Sequence, residues 1–587
     1  MNFIKRVLST VVGIFVFMFI CLGLLFVVGL IVGSSSQDII PVKPNSVLEL
    51  TLDFPIKDYA GKVEFKDYTF LNADRKNGLY NIIDAINYAA TDDNIKGITI
   101  DNNYIDAGIT QTKEIRDALH KFKKSGKFIT AYSDIYTQKD YYLASIADTI
   151  YMNPAGTLEF KGLYSEQLYL KDIQDKTGLK MEVIRYGKYK SAVEPFLSNE
   201  MSDENREQIS AYLNSIWKQV KEDISESRYI PVVMLDSIAN NLLARNAVLA
   251  KKSNLIDKIA YYDEYLDGLK YAMKVDHPDD IQRISIEDYA SHTTDKLRSK
   301  SSKHRIAVIF AEGDIIYGEG DETSVGQGTM SAAFMEARED DKIKAIVLRI
   351  NSPGGDALAS ELIWREIELT KKIKPVIVSM GDVAASGGYY IACNADLIIA
   401  EPTTITGSIG VFGMLPNGRG LADSWGINAE QVATNKNAVT YSFFEPLSDA
   451  QHDYIKEEVV DIYELFTKRV AEGRNMTQDA VKMIAEGRVW TGAEGINNGL
   501  IDELGGLDLA LKRAAEAANI EEYKIKELPV FEKDLDKILR GFGIVKTKEA
   551  ILKEELGEEN YKMLQKIKSV TQKKGVQLLF PYSVDIK

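Results

Sequence analysis

Cysteine and histidine are both scarce in this chain. Its 587 residues hold two cysteines, Cys21 and Cys393, and five histidines, His120, His277, His292, His304 and His452. Cys21 falls inside an apolar run, which argues against a disulfide framework and against a cysteine-based metal site. No histidine stands in a compact motif, so a serine–histidine–aspartate hydrolase would lack a placed base. Positive charge is short as well: a formal net charge of -15 is the wrong sign for a nucleic-acid footprint. At 27% charged and 45% hydrophobic the chain is globular rather than disordered, and its length calls for two or more domains.

Long apolar runs are limited to one. "MNFIKRVLSTVVGIFVFMFICLGLLFVVGLIVGSSS" carries Lys5 and Arg6 and then no charge until Asp38. About 20 apolar residues cross a bilayer core, whereas a signal-peptide core has roughly 7–15. Residues 1–34 are therefore expected to be a cytoplasmic stub and an uncleaved transmembrane helix, with the body of the chain exported.

What is abundant is internal similarity. "NIKGITIDNNYIDAG" (94–108) reads like "KIKAIVLRINSPGGD" (342–356), and in the same register 127–154 falls on 375–402. Ile129, Asp134, Tyr141, Tyr142, Ala144, Ala147, Asp148 and Pro154 each meet an identical residue. After small gaps "YGKYKSAV" (186–193) meets "ATNKNAV" (433–439), setting Lys190 against Lys436, and "LIDKI" (255–259) meets "LIDEL" (500–504). The chain reads as two divergent copies of one domain, 47–285 and 305–527. A polar linker, 291–305, joins them, and a helical extension, 528–587, follows. Within each copy, β-branched runs such as "AIVLRI" and "VIVSM" alternate with helical patterns such as 356–373. That alternation predicts an α/β fold with mostly parallel sheets.

The copies differ most where chemistry can sit. At Ser386 the first copy has Gln138, with Lys139 and Asp140 in place of Gly387 and Gly388, and its "YIDA" (104–107) replaces "SPGG" (352–355). If serine and glycines only satisfied a tight turn, both copies would need them; the first does without. A serine at a strand-to-helix turn presents its hydroxyl outward. The N–H of Gly387 and that of Gly355 (or Gly354) from "NSPGGD" are candidate oxyanion donors. Without a histidine, the substitute base is a desolvated lysine. It must be neutral, so burial must bring its pKa from about 10.4 towards 7–8. Lys190, in "VIRYGKYKSAVEPF", follows a strand-like run and precedes an apolar Pro195–Phe196 pair.

"INSPGG", "GDVAASGGYYIACNAD", "TTITGSIGVFG", "GKYKSAVEPF" and "GRVWTGAEGINNGLID" together resemble the signal peptide peptidase A (protease IV) family in its long, two-copy form. The resemblance runs from the N-terminal segment to about residue 527. It implies two tandem domains similar to the Clp protease subunit and the crotonases, and a serine–lysine dyad needing no metal or cofactor. In that reading Ser386 is the nucleophile, Lys190 the general base and Ser408 of "TGSIG" the residue orienting the lysine. Short relatives carry their lysine downstream of the serine, where Lys436 lies here, so Lys436 is the alternative base. The implied substrates are apolar signal peptides in an apolar cleft, with "GYY" and "MLPN" as expected lining. The implied setting is the bacterial inner membrane, single-pass, with the catalytic body periplasmic, as a homo-oligomer, a tetramer by resemblance. Two rivals stand beside it: a crotonase-like enzyme on acyl-CoA thioesters, which needs no nucleophilic serine, and an inactive anchored scaffold.

Overall fold

The structure is a computed structural model that describes residues 41–59, 78–298 and 302–531, together with Gly13, 15–20, Gly23, 62–63, 73–74 and 575–579. Most of the expected transmembrane helix lies outside the described residues; those described within it are helical, with Phe15, Phe17 and Phe19 exposed. Among the described residues no helix is long and apolar enough to cross a membrane.

The repeat is visible as two parallel sheets of the same strand order. The first runs β8 (Lys258–Ile259), β6 (Thr149–Leu158), β5 (Phe128–Tyr136), β4 (Ile95–Asp101), β1 (Ser46–Leu50), β9 (Gln282–Ser285). The second runs β20 (Glu503–Leu504), β16 (Leu397–Ala400), β15 (Val376–Ala385), β13 (Ile343–Ser352), β10 (Arg305–Glu312), β21 (Lys524–Leu528). A branch, β17 (Ile405–Gly407) with β19 (Val489–Thr491), extends the end of β15. Near-continuous Ile, Val, Leu and Ala runs form β13 and β15 because both faces of a parallel sheet are covered. A small pair, β2 (Lys62–Val63) and β3 (Ala73–Asp74), stands apart.

The conserved positions of the repeat do the same work twice. Tyr141 and Tyr389 each donate to the leucine carbonyl of the "LID" segment, Leu255 at 3.0 Å and Leu500 at 2.9 Å. Asp148 and Asp396 each accept the backbone N–H at the start of the preceding strand, at 2.8 Å. Asp257 and Asp502 accept from Ile150 and Ile398, and each is paired with the arginine that ends a 26-residue helix, Arg228 of Asp203–Arg228 and Arg474 of Asp449–Arg474. The two tyrosines are buried and the four aspartates lie at the surface, but each holds the same backbone partner in both copies, which is why they persist where the Ser386 turn has diverged.

A third sheet belongs to neither copy alone. Its order is β12 (Ser324–Gly326), β11 (Asp314–Ile316), β14 (Gly354–Asp356), β22 (Gly575–Leu579), β18 (Val411–Asn417), β7 (Lys180–Tyr186). β7, from the first copy, pairs antiparallel with β18 over seven residue pairs, from Val411–Tyr186 to Asn417–Lys180. The cores mix too: Ala385, Ile405 and Val489 join the first copy's core and Ile184 the second's.

Two boundaries differ from expectation. The segment 291–305 is no simple linker, because the helix Ile286–Arg298 runs through most of it, with Tyr289 and Ala290 buried in the first core. Most of the extension 528–587, expected to be helical, lies outside the described residues; its described part includes a strand, β22.

The copies are also locked by buried charge. Arg349 of β13, fully buried, binds Asp58 through two nitrogens at 3.1 Å and Glu114 at 2.5 Å, both carboxylates coming from the first copy. Thr110 N, in the first turn of the helix Ile109–Lys123, donates to Asp382 at 2.8 Å. Removing the cation of a buried cluster leaves charge uncompensated, so Arg349→Leu is expected to cost about 3–5 kcal/mol in denaturant unfolding; a loss under about 1 kcal/mol would contradict this account. One guanidinium cannot neutralise the four neighbouring carboxyls of Asp58, Glu114, Asp382 and Glu312, and burial pushes Glu114 and Asp382 up to about 6 and Glu312 up to about 7. The unfolded carboxyls titrate near 4, so the folded chain holds more protons between about pH 4 and 7. Thermal melts should show stability falling as pH rises through that window.

Candidate active site

β15 ends in the turn that carries Ser386. The residue caps the helix Gly387–Ala392 with φ 57° and ψ −115°, a conformation that costs a non-glycine residue about 1–3 kcal/mol. In the first copy the equivalent turn is relaxed: Thr137 caps the helix Gln138–Ala144 at φ −66° and accepts from Asp140 N. Gln138 is occupied with the backbone of Lys161 and Gly162, at 2.9–3.1 Å. Strain is thus present only in the copy that has the serine, and Gly388 shows what that turn requires. A side chain at Gly388 would come within 2.5 Å of Ser352 O. Gly387 in turn packs against Gly354 and Gly355.

Lys190 reaches this serine from the other copy. Its Nζ lies 2.7 Å from Ser386 Oγ, 2.9 Å from Ser408 O and 3.1 Å from Ser408 Oγ, and the two residues of the pair are 196 apart in sequence. Lys190 and Ser386 are both fully buried. Burial holds the Lys190 pKa well below the ordinary lysine value, and no carboxylate offsets it. Lys436, its counterpart in the repeat, is exposed in an irregular loop and takes no part in this cluster. Ser408 has φ 51°, and its N–H donates at 2.7 Å to the O of Arg488, the residue just before β19, which holds it in place.

Residues that sequence reasoning did not single out position the lysine. Gly410 and Gly487 press their backbones on its stem: a Cβ at Gly487 would sit 2.6 Å from Lys190 Cβ, and one at Gly410 would sit 3.2 Å from Lys190 Cδ. Glu194 of the "YKSAVEPF" motif accepts from Ser202 N at 2.9 Å and Asn205 Nδ2 at 2.5 Å, clipping the lysine loop to the helix Asp203–Arg228. Gln208, fully buried on that helix, donates to Tyr189 O (3.1 Å) and Ser191 Oγ (2.7 Å), on either side of the lysine. Its Oε1 accepts from Val489 N of β19 at 3.3 Å. A glutamine in a polar helix reads as solvated, and only the docking of the copies reveals the bridge. The expected lining is also revised. Tyr389 and Tyr390 of "GYY" are buried core residues, whereas Met414 of "MLPN" clusters with Val193 and Phe412 beside the lysine loop.

Comparison with known proteins agrees with the repeat. The model of Peptidase family S49 matches residues 121–276 and 368–521, one segment in each copy. The chain belongs to peptidase family S49. It is a serine peptidase with two S49 regions, and the Clp protease family model matches 298–402, a stretch that includes Ser386. Protease 4 of Haemophilus influenzae is 38% identical over 76% of this chain and 74% of its own length. Protease 4 of Salmonella typhi is 36% identical over 77% and 74%. The chloroplastic serine protease SPPA of Arabidopsis thaliana is 34% identical over 78% and 68%.

Gln208→Leu removes the bridge without touching Ser386 or Lys190. A displacement near 1 Å costs on the order of 100-fold, so kcat is expected to fall about 10–100-fold with KM little changed. Steady-state assays of the folded variant would reject the bridge if kcat stayed at the wild-type value.

Proposed function

We propose that this S49 peptidase cuts peptides through a Ser386–Lys190 dyad. The observation that carries the reading is the 2.7 Å contact between the two, made in a fully buried pocket without a carboxylate. A neutral amine has two N–H bonds and one lone pair. With the N–H bonds on Ser408 O and Oγ, the lone pair faces the Ser386 hydroxyl. Lys190 then takes the hydroxyl proton as Oγ bonds to the peptide carbonyl carbon. The oxyanion is met by the N–H groups of Gly387 and Gly355. The lysine ammonium protonates the leaving amine as the C–N bond breaks. Water next gives a proton to Lys190 and its oxygen to the acyl carbon, and Ser386 recovers its proton as the ester opens.

The substrates in this reading are apolar peptides, cleaved signal peptides above all, for which the Val193, Phe412 and Met414 cluster is a suitable neighbour. The apolar residues 7–34 anchor the chain in a bacterial inner membrane with residues 41 onward outside the cytoplasm; the exposed phenylalanines of the described helical stretch favour a lipid surround. The names of the Protease 4 and SPPA relatives are consistent with this substrate class. Assembly into a homo-oligomer, a tetramer by family resemblance, belongs to the same proposal.

Ser386→Ala and Lys190→Ala are each expected to lower kcat about a thousandfold or more on an apolar peptide, with Lys436→Ala near wild type. Turnover surviving Ser386→Ala would sink the mechanism, and the reverse pattern for the two lysines would reassign the base. Because the neutral lysine is the active form, kcat/KM should rise with pH through the lowered Lys190 pKa. A neutral buried lysine disfavours folding at every pH below its unfolded value. Lys190→Met should therefore abolish turnover and raise the melting temperature.

A further inference from the structure

The "GRVWTG" segment holds an arginine and a tryptophan, Arg488 and Trp490, that the proposed mechanism leaves unused. Its backbone threads between the copies beside Lys190. Tyr189 N of the first copy donates to Glu486 O at 2.9 Å, and Gly487 N donates to Ile409 O of the second at 2.8 Å. Glu486 and Gly487 are consecutive left-handed residues, φ 54° and 81°, and the first of them is not glycine. Such a bend persists only where its surroundings hold it. Arg488 supplies a hold. Its guanidinium carbon lies 5.0 Å from the centre of the Tyr189 ring and 4.5 Å from that of Trp490. Its Nη1 donates to Glu207 at 2.9 Å and to the Tyr189 hydroxyl at 3.3 Å, and that hydroxyl donates to the same carboxylate at 3.1 Å. Arg488 Nε is buried without a hydrogen-bond partner, a penalty that a solvated arginine would escape.

Each contact of this arginine leads to one of the three residues of the cluster. Tyr189 immediately precedes Lys190. The carbonyl of Arg488 itself accepts the Ser408 N–H at 2.7 Å. Trp490, anchored by its Nε1 on Ile484 O at 2.9 Å, lies against Gly407, where a Cβ would come 2.8 Å from its ring. Gly407 O in turn accepts the Ser386 N–H at 2.8 Å. We propose that Arg488 is a positioning residue for the reaction: it clamps Tyr189 of the first copy against the second, sets the spacing of Lys190, Ser408 and Ser386, and keeps water off the amine. This rests on Lys190 being the base for Ser386. Arginine suits the task because its planar fork can lie on aromatic rings and still reach a carboxylate. The Tyr189 hydroxyl and the Arg488 guanidinium hold the Glu207 carboxyl below its ordinary range, so the ion pair of the clamp stays charged above about pH 5.

The test compares Arg488→Met and Arg488→Lys with the wild type, all as full chains. A loosened lysine loop admits water to the amine and returns its pKa towards that of an ordinary lysine. In Arg488→Met the acid limb of kcat/KM should therefore move up by about one pH unit, so that the defect shrinks as pH rises. At neutral pH its kcat should fall about 10–100-fold with KM within about threefold of the wild type. Arg488→Lys keeps the charge without the fork and should fall between. Tyr189→Leu should act through the same contact, leaving the double variant with Arg488→Met no worse than the poorer single one. An unmoved acid limb, with kcat lost only in proportion to folded protein, would overturn the proposal, as would additive losses in the double variant. A readout independent of turnover uses Ser386→Ala chains treated with methyl acetimidate at alkaline pH. Mass spectrometry of the peptide bearing Lys190 should show labelling several-fold faster when Arg488→Met is added. Should Arg488→Met fail to fold, Arg488→Lys carries both measurements with the same outcomes. If turnover survives Ser386→Ala or Lys190→Ala, the dyad reading has failed; faster labelling then still supports the clamp, and unchanged labelling rejects it.

Discussion

The amine of Lys190 is held dry, 2.7 Å from a serine that the other copy supplies, and much of the molecule serves that placement. An amine of ordinary pKa would be protonated at neutral pH and useless as a base, so it must be stripped of water and kept from carboxylates. A surface loop cannot do this. The lysine loop is therefore pinned by Gln208 and Glu194 to one long helix and pressed by the glycine backbones of 410 and 487. Beyond it, β7 is stitched to β18 along its whole length. Each of these contacts crosses between copies or stands next to one that does.

This explains why a copy without the serine turn is retained. A single domain would have to supply both the strained turn and the dry lysine; here the tasks are divided. The second copy bears the backbone strain at Ser386 and the glycines that make room for it, while the first keeps a relaxed turn at Thr137 and contributes β7, the lysine loop and the carboxylates that lock onto Arg349. The buried carboxyls at that seam are held above their ordinary range, so the docking that creates the site is itself a costly arrangement. In the proposed mechanism, stability is given up at the lysine and at the seam in exchange for a base that works at neutral pH.

Much of the fold could be read from sequence because it repeats. Tyr141, Asp148 and their partners at Tyr389 and Asp396 were marked as scaffold by recurring at constant register, and their hydrogen bonds prove to be the same in both copies. Ser386 stood out for the opposite reason, by being present once. Gln208 was silent because nothing local distinguishes it, and Gly410 and Gly487 stood in recognisable motifs without any sign of what they press against; all three roles arise only across the docked copies. "GYY" was misassigned to the cleft because aromatic residues beside a serine resemble lining, whereas the helix Gly387–Ala392 is buried along its whole length, both rings included. The helix through 291–298 and the strand in the extension escaped notice because their docking depends on surfaces distant in sequence.

Composition, repeat and motif determined by themselves that the chain is a duplicated α/β protein with one specialised turn and no histidine to serve it. Those properties are local or periodic, and local chemistry is written in the sequence. Which lysine meets the serine was decided by tertiary structure: Lys190 and Lys436 occupy matching places in the repeat, yet one is buried across the interface and the other lies in solvent. The difference is desolvation, a property of the surroundings rather than of the residue, and it exists only once the two copies have closed on each other.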